Sequence, residues 1–247
     1  QMNLNKEQNF AYEKMSGGSS VFLTGVAGVG KSYVIQKFCR TFGCRQKTPR
    51  RDNKKLNIGL TSTTGTSALL IGGTTLHSFL GIGLGNDSED SLVTKIRSRR
   101  FLKLRWLELD VLVIDEISML NADLFDKLHK IAQRIRHNTK PFGGIQLIVS
   151  GDFLQLPVVK STKLTFEAVH WDECLPLTIN LSQNVRQQND TVYSEILSKV
   201  RIGDITPGIL NQLNACVGRD VSRHGIQPTR LYPLNYQVDS LNEDSLD

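Results

Sequence analysis

The chain has 247 residues, 39% of them hydrophobic, enough to bury a full core as one large domain or one domain with insertions. Its 30 Lys and Arg against 24 Asp and Glu leave a formal charge of +6, a balance that leans toward polyanionic partners. Cys39, Cys44, Cys174 and Cys216 form no CxxC pair and no metal spacing with histidine, which excludes a zinc ribbon and a disulfide framework and fits a reducing, intracellular compartment.

Residues 1–20 show neither a signal nor a transit peptide, and no later apolar run approaches the roughly 18 residues of a membrane span, so no membrane partner is expected. Val21–Thr24 reads as a first strand, followed by a glycine-rich turn and a helix from near Lys31. Cys44–Asn57 is polar and charged and reads as a loop or small insertion. Ile58–Thr61 is the next strand, Gly83–Arg105 a second loop or insertion, and Val111–Asp115 a third strand. In the helix from near Asp123, Leu124, Leu128, Ile131 and Ile135 recur at spacings of 4, 3 and 4, which puts them on one buried stripe with Lys127, Lys130, Arg134 and Arg136 off it. Ile145–Ser150 and Thr178–Leu181 read as strands, and a helix starts near Val192. The alternation predicts an α/β fold with a largely parallel sheet. Basic residues cluster at Arg45–Lys55, Lys95–Arg105 and Lys127–Lys140; one cluster alone suits a solvated face, but three together point to nucleic acid.

The turn after the first strand is GVAGVGKS, Gly25–Ser32, with Val26, Ala27, Gly28, Val29, Gly30 and Lys31 between. Its glycines let the backbone fold so that successive N–H groups face phosphate oxygens, while Lys31 reaches the β- and γ-phosphates and Ser32 ligates Mg²⁺. The helix dipole adds to this. The strand Val111–Asp115 delivers two acids to the carboxyl edge of the sheet: Asp115 to hold Mg²⁺, Glu116 to orient or deprotonate the attacking water. This pairing argues for a hydrolase. Gln155, in GDFLQLPVV, is placed to sense the γ-phosphate or the water. His77 and Phe79 lie among flexible glycines in GTTLHSFLGIGLG, where they could stack on bases or simply pack.

Together these segments resemble the petite-integration-frequency (PIF) family of superfamily-one DNA helicases, RecD-like motors that move 5′ to 3′ on single strands. LNKEQ, Leu4–Gln8, is similar to the family's adenine-reading motif, which assigns Gln8. STTGTSA, Ser62–Ala68, is similar to its first strand-contacting motif, which assigns Ser62, Thr63, Thr64 and Gly65 to DNA. Asp126–Gln146 resembles the segment that sets the family apart, and LSQNVRQ, Leu181–Gln187, resembles the motif whose arginine, here Arg186, contacts the γ-phosphate. Val26, Val29, Thr66, Ser67, Val158 and Val185 depart from the family's pattern in ways that bear on rate and DNA affinity, not on the reaction.

The resemblance implies a RecA-like P-loop ATPase domain over residues 1–83 and 109–230, a small inserted wedge-like subdomain over 84–108, and a crossing at 231–247 toward a second RecA-like domain. It implies ATP and Mg²⁺ as cofactors, single-stranded DNA and DNA forks as partners, a monomer, work in replication, repair or recombination, and a nuclear or mitochondrial place. Metal contacts fall to Ser32, Asp115 and Glu116; catalysis falls to Lys31, Asp115, Glu116, Gln155 and Arg186. Two other readings stay open: another P-loop class such as a GTPase or small-molecule kinase, although no NKxD-like guanine motif is present, and a DNA-binding or protein-interaction module.

Overall fold

The computed structural model describes residues 4–43, 56–156, 158, 163–183, 190–219 and 229–244. In chain order its elements are α1 (Lys6–Ser16), β1 (Val21–Thr24), α2 (Lys31–Phe42), β2 (Ile58–Ser62), α3 (Gly65–Ile71), β3 (Thr74–Thr75), α4 (Leu76–Leu80), α5 (Glu89–Ser98), α6 (Arg100–Glu108) and β4 (Val111–Asp115). There follow α7 (Ala122–Arg136), β5 (Gln146–Ser150), α8 (Trp171–Cys174), β6 (Leu177–Asn180), α9 (Thr191–Arg201), α10 (Pro207–Asn214) and α11 (Asn235–Asp244). The strands form one six-stranded sheet in the order β3-β2-β4-β5-β1-β6, and every pairing is parallel. This is the expected α/β class, with strand ends shifted by a residue from the sequence reading.

Period-two alternation splits the strands between two cores. On β4, Leu112 and Ile114 join one cluster while Val111 and Val113 join the other. On β5, Leu147 and Val149 face the first and Ile148 the second; on β1, Phe22 faces the first and Val21 and Leu23 the second. One face is covered by α1 and α2, through Ala11, Met15, Val34, Ile35 and Phe38, and the other by α4 to α8. Each of these buried Val, Ile, Phe and Met side chains contributes about 1.5–3 kcal/mol of transfer free energy. With both faces covered, β4 is buried along its whole length, so Asp115 at its end is 3% exposed.

The α7 helix forms as its periodicity predicts. The Asn121 side chain caps it by accepting from the Leu124 amide at 2.7 Å. Its buried stripe is wider than the four expected positions: Phe125, Leu128, Ile131, Ala132 and Ile135 are inside, and Leu124 packs at the margin.

Residues 83–105, read as a loop or small insertion, are corrected in part: the chain is helical from Glu89, in α5 and α6. Ser88 caps α5 by accepting from the Ser91 amide at 3.2 Å, and Glu89 and Asp90 in the first turn with Lys95 and Arg97 in the last suit the helix dipole. Leu92, Val93 and Ile96 of α5 and Leu102 and Trp106 of α6 belong to the main core. The Trp106 indole donates to the Leu80 carbonyl at 3.1 Å. Dense charge hid this apolar stripe.

Several basic residues that seemed to face nucleic acid hold these helices instead. Arg134 meets Glu89 and Asp90, each at 2.8 Å. Lys127 donates to the Gly85 and Asp87 carbonyls at 2.8 and 2.9 Å. Arg97 donates to the Arg134 carbonyl at 2.9 Å, and Arg136 to four carbonyls, of Trp106, Leu107, Leu109 and Gly143. Arg99, Arg100, Lys103 and Lys130 stay exposed. Residues Arg45–Lys55 lie outside the described residues.

Gln1–Ile202 makes one compact unit and Gly203–Asp247 a smaller second one. Residues 203–230, which the sequence reading gives to the RecA-like core, fall in the smaller unit. That unit holds α10, capped by Thr206 with Pro207 in its first turn, and α11. Among the described residues, no helix is long and apolar enough to cross a membrane.

Candidate nucleotide site

The loop between β1 and α2 turns through glycines at positive φ: Gly25 at 137°, Gly28 at 90° and Gly30 at 87°. Gly25 also has no room, since a Cβ there would lie 2.2 Å from the Leu181 carbonyl oxygen. α2 begins at Lys31 with Gly30 as its cap, no side-chain cap and no acid in its first turn, so its first N–H groups are open to an anion. Val29 is fully buried and Val26 packs beside it, so these two departures from the family pattern anchor the loop to the core.

Gln8 braces the loop from the other side. Its Nε2 donates to the Val29 carbonyl at 2.9 Å, while its Oε1 accepts from the Asn5 amide at 3.1 Å. The structure therefore gives Gln8 a loop-holding role, and one amide hydrogen is left for the adenine contact expected of it. Glu7, one residue earlier, accepts from the Ser182 amide at 2.7 Å, from the Ser182 hydroxyl and from the Gln183 amide at 3.4 Å. These bonds hold its carboxyl below the usual range. Sequence reasoning missed this latch, because no local pattern pairs a helix start with a segment 175 residues on. Arg186 lies outside the described residues.

Lys31 Nζ donates to the Gly25 carbonyl at 2.8 Å and to that of Val26 at 3.2 Å. Burial lowers its pKa; the carboxylates of Asp152, Glu116 and Asp115 oppose that shift, in that order. Ser32 Oγ sits 3.2 Å from Asp115 Oδ2, and the Ser150 hydroxyl and the Glu116 amide donate to Asp115 Oδ1. Neighbouring ligands of an octahedral Mg²⁺ at about 2.1 Å lie about 3 Å apart, so this hydroxyl and carboxylate suit the ion in donor type and spacing.

Glu116 leaves the strand at φ 56°, ψ 46°, a left-handed conformation uncommon for glutamate. Its carbonyl accepts from the Thr63 hydroxyl at 2.7 Å, which ties β2 to this break. Burial raises its pKa, and the neighbouring Asp115 raises it further. Gln155 is exposed and donates to Asp152 Oδ2 at 3.2 Å. The site thus brings together a glycine-rich loop with open helix amides, a hydroxyl–carboxylate pair and a carboxyl whose pKa is raised.

The residues expected on DNA divide. Ser62 is corrected: it is fully buried, and its hydroxyl donates to the Asp115 carbonyl at 3.1 Å, as a link between strands. Thr64 caps α3 by accepting from the Ser67 amide at 3.2 Å, and Gly65 is exposed. His77 is half-buried, which lowers its pKa. Phe79 takes its packing alternative: its ring lies where a Gly59 Cβ would come within 2.6 Å, with the Arg105 guanidinium 4.9 Å above it.

His129, His170 and Glu173 form a second cluster outside this site. The Phe142 amide donates to His129 Nδ1 at 3.1 Å, so the ring proton sits on Nε2, 3.3 Å from Glu173 Oε1. His170 Nδ1 meets Asp126 at 2.7 Å. A cation at His129 Nε2 would have to displace that proton, so the cluster acts as a staple between α7 and α8.

A sequence model described as PIF1-like helicase matches residues 3–207. The chain is 42% identical over 257 residues to uncharacterized protein 030L of Invertebrate iridescent virus 6, covering 98% of this chain and 47% of that protein. It is 41% identical over 235 residues to the ATP-dependent DNA helicase RRM3 of Saccharomyces cerevisiae, covering 92% of this chain and 31% of RRM3. The crystal structure of Pif1 helicase from Candida albicans superposes with a TM-score of 0.89 at 37% identity, over 100% of this chain and 55% of that one. The chain therefore spans about half or less of the length of these relatives. Its sheet and phosphate loop are those of a RecA-like P-loop fold, and the chain belongs to the PIF1-like helicase family.

Proposed function

We propose that this chain is the ATP-hydrolysing motor domain of a DNA helicase. It couples ATP hydrolysis to 5′-to-3′ movement on single-stranded DNA and to unwinding at forks, in replication, repair or recombination. The observation that carries the reading is the contact between Ser32 and Asp115, 83 residues apart, which joins the phosphate loop to the acidic strand end. Glu116 activates the water, Lys31 holds the β- and γ-phosphates, and Gln155 reads the γ-phosphate. Arg186 and a second RecA-like domain complete the charge stabilisation that such transfers need, where an arginine contributes about 10³–10⁵ in rate. Mg²⁺, held by Ser32 and Asp115, would neutralise charge on the phosphates. Thr63, Thr64, Gly65 and His77 contact DNA, with residues 84–108 as the wedge. Family resemblance supports a monomer in the nucleus or mitochondrion; the viral relative widens the possible sources.

Nucleotide competition tests the reading. ATP preferred over GTP, with binding lost in Lys31→Ala, supports it. Preferential GTP binding sinks it in favour of another P-loop class, and nucleotide binding indifferent to Lys31→Ala leaves only a DNA-binding or protein-interaction module. The chain alone is expected to bind nucleotide, to hydrolyse it very weakly and not to unwind.

A further inference from the structure

Asp152 follows β5 and stands beside the root of the phosphate loop, since Leu23 pairs with Ser150 and the Gly151 amide donates to the Leu23 carbonyl at 3.2 Å. Its side chain is 1% exposed. A carboxylate so buried needs a cationic partner, and two cations are at hand. Arg201, at the end of α9, takes it in a two-pronged grip, Nη2 to Oδ1 at 2.6 Å and Nε to Oδ2 at 2.7 Å. Gln155 donates to the same Oδ2 at 3.2 Å, so one carboxylate joins α9 to the segment that carries Gln155. The second cation is Lys31, on which Asp152 exerts the largest attraction of any carboxylate.

We infer that Arg201 is a positioning residue of the nucleotide site: by engaging Asp152 it keeps Lys31 on the phosphate loop, where Nζ meets the Gly25 and Val26 carbonyls, and it fixes the segment bearing Gln155. Arg201 touches no substrate; it acts through Asp152. Without it, Asp152 becomes a buried carboxylate that still attracts the flexible Lys31, and a salt bridge from Lys31 to Asp152 competes with ATP. The effect falls more on ATP than on ADP, because Lys31 reaches the γ-phosphate. This inference rests on the proposed reading of the phosphate loop.

A double-substitution cycle read by ATP and ADP affinity tests it. Arg201→Gln is expected to weaken ATP binding about tenfold or more, and ADP binding less, while Asp152→Asn with Arg201→Gln returns ATP affinity to within about threefold of the parent, because no charge is left to trap Lys31. A merely structural role for Arg201 would weaken ATP and ADP binding alike, so equal losses for the two nucleotides also overturn the inference. Arg201→Gln binding ATP as tightly as the parent, or a double variant no tighter than the single one, overturns the inference. Should Arg201→Gln fail to fold, the double variant decides alone: parent-like ATP binding supports the inference, and lost binding by a folded double variant overturns it. If ATP binding by the parent is itself indifferent to Lys31→Ala, the phosphate-loop reading falls and carries this one with it. Lys31-dependent binding with a silent Arg201→Gln removes this inference alone.

Discussion

Arg136→Met separates a structural base from a DNA-binding one. Nη1 of Arg136 faces the carbonyls of Trp106 at 2.7 Å, Leu107 at 2.9 Å and Leu109 at 3.0 Å, and Nε donates to Gly143 at 2.7 Å. Nη1 has two hydrogens for three carbonyls, so about three hydrogen bonds are lost in all. At about 1 kcal/mol net each, with methionine retaining the packing of the stem, the expected loss is about 3 kcal/mol. For a chain of this size each kcal/mol moves the midpoint by about 2–4 °C, so Tm should fall by roughly 6–12 °C. Circular-dichroism melting measures that, and fluorescence anisotropy with labelled single-stranded DNA across a salt series measures the second half. The salt slope should not change, because this guanidinium is occupied by carbonyls, whereas Lys103→Met, at an exposed site, should lower the slope by about one unit and leave Tm alone. An Arg136→Met protein that melts within about 2 °C of the parent and loses a unit of salt slope would refute the assignment.

Other substitutions probe the nucleotide site. Gly25→Ala places a Cβ 2.2 Å from the Leu181 carbonyl oxygen at a φ of 137°, so it should cost roughly 2 kcal/mol or more and abolish nucleotide binding; a variant that melts and binds like the parent would show that the loop has another conformation. Ser32→Ala should weaken Mg²⁺-ATP about tenfold or more while leaving metal-free nucleotide little affected, as titrations with and without EDTA would reveal; equal losses in both would take Ser32 off the cation. Glu116→Gln should bind ATP and fail to hydrolyse it, and retained turnover would reassign the base. In the parent, the base form of Glu116 is lost as pH falls through its raised pKa, so the acid limb of the ATPase profile should lie above the ordinary carboxyl value of 4.5.

The sequence by itself determined the elements whose signals are local. The apolar run Val111–Asp115, the glycine spacing Gly25–Gly30 and the α7 stripe each follow from strand pleat, backbone φ or helical period, which neighbours along the chain dictate. Ser32 and Asp115 were legible as partners because each belongs to a motif with a fixed chemical task. Only the tertiary structure decided the rest. The family resemblance assigns Ser62 to DNA, yet β2 lies between β3 and β4, and burial turns its hydroxyl to the Asp115 carbonyl. Lys127, Arg134 and Arg136 lie off the buried stripe of α7 as its period requires, but what they meet there is fixed by the packing of α5 and α6, not by helical phase. Glu7 on Ser182 and Arg201 on Asp152 join residues far apart in the chain through side chains whose types are common everywhere on protein surfaces. Long-range pairs of this kind leave no periodic trace, since they depend on where the folded sheet brings the two segments rather than on what surrounds either one in sequence.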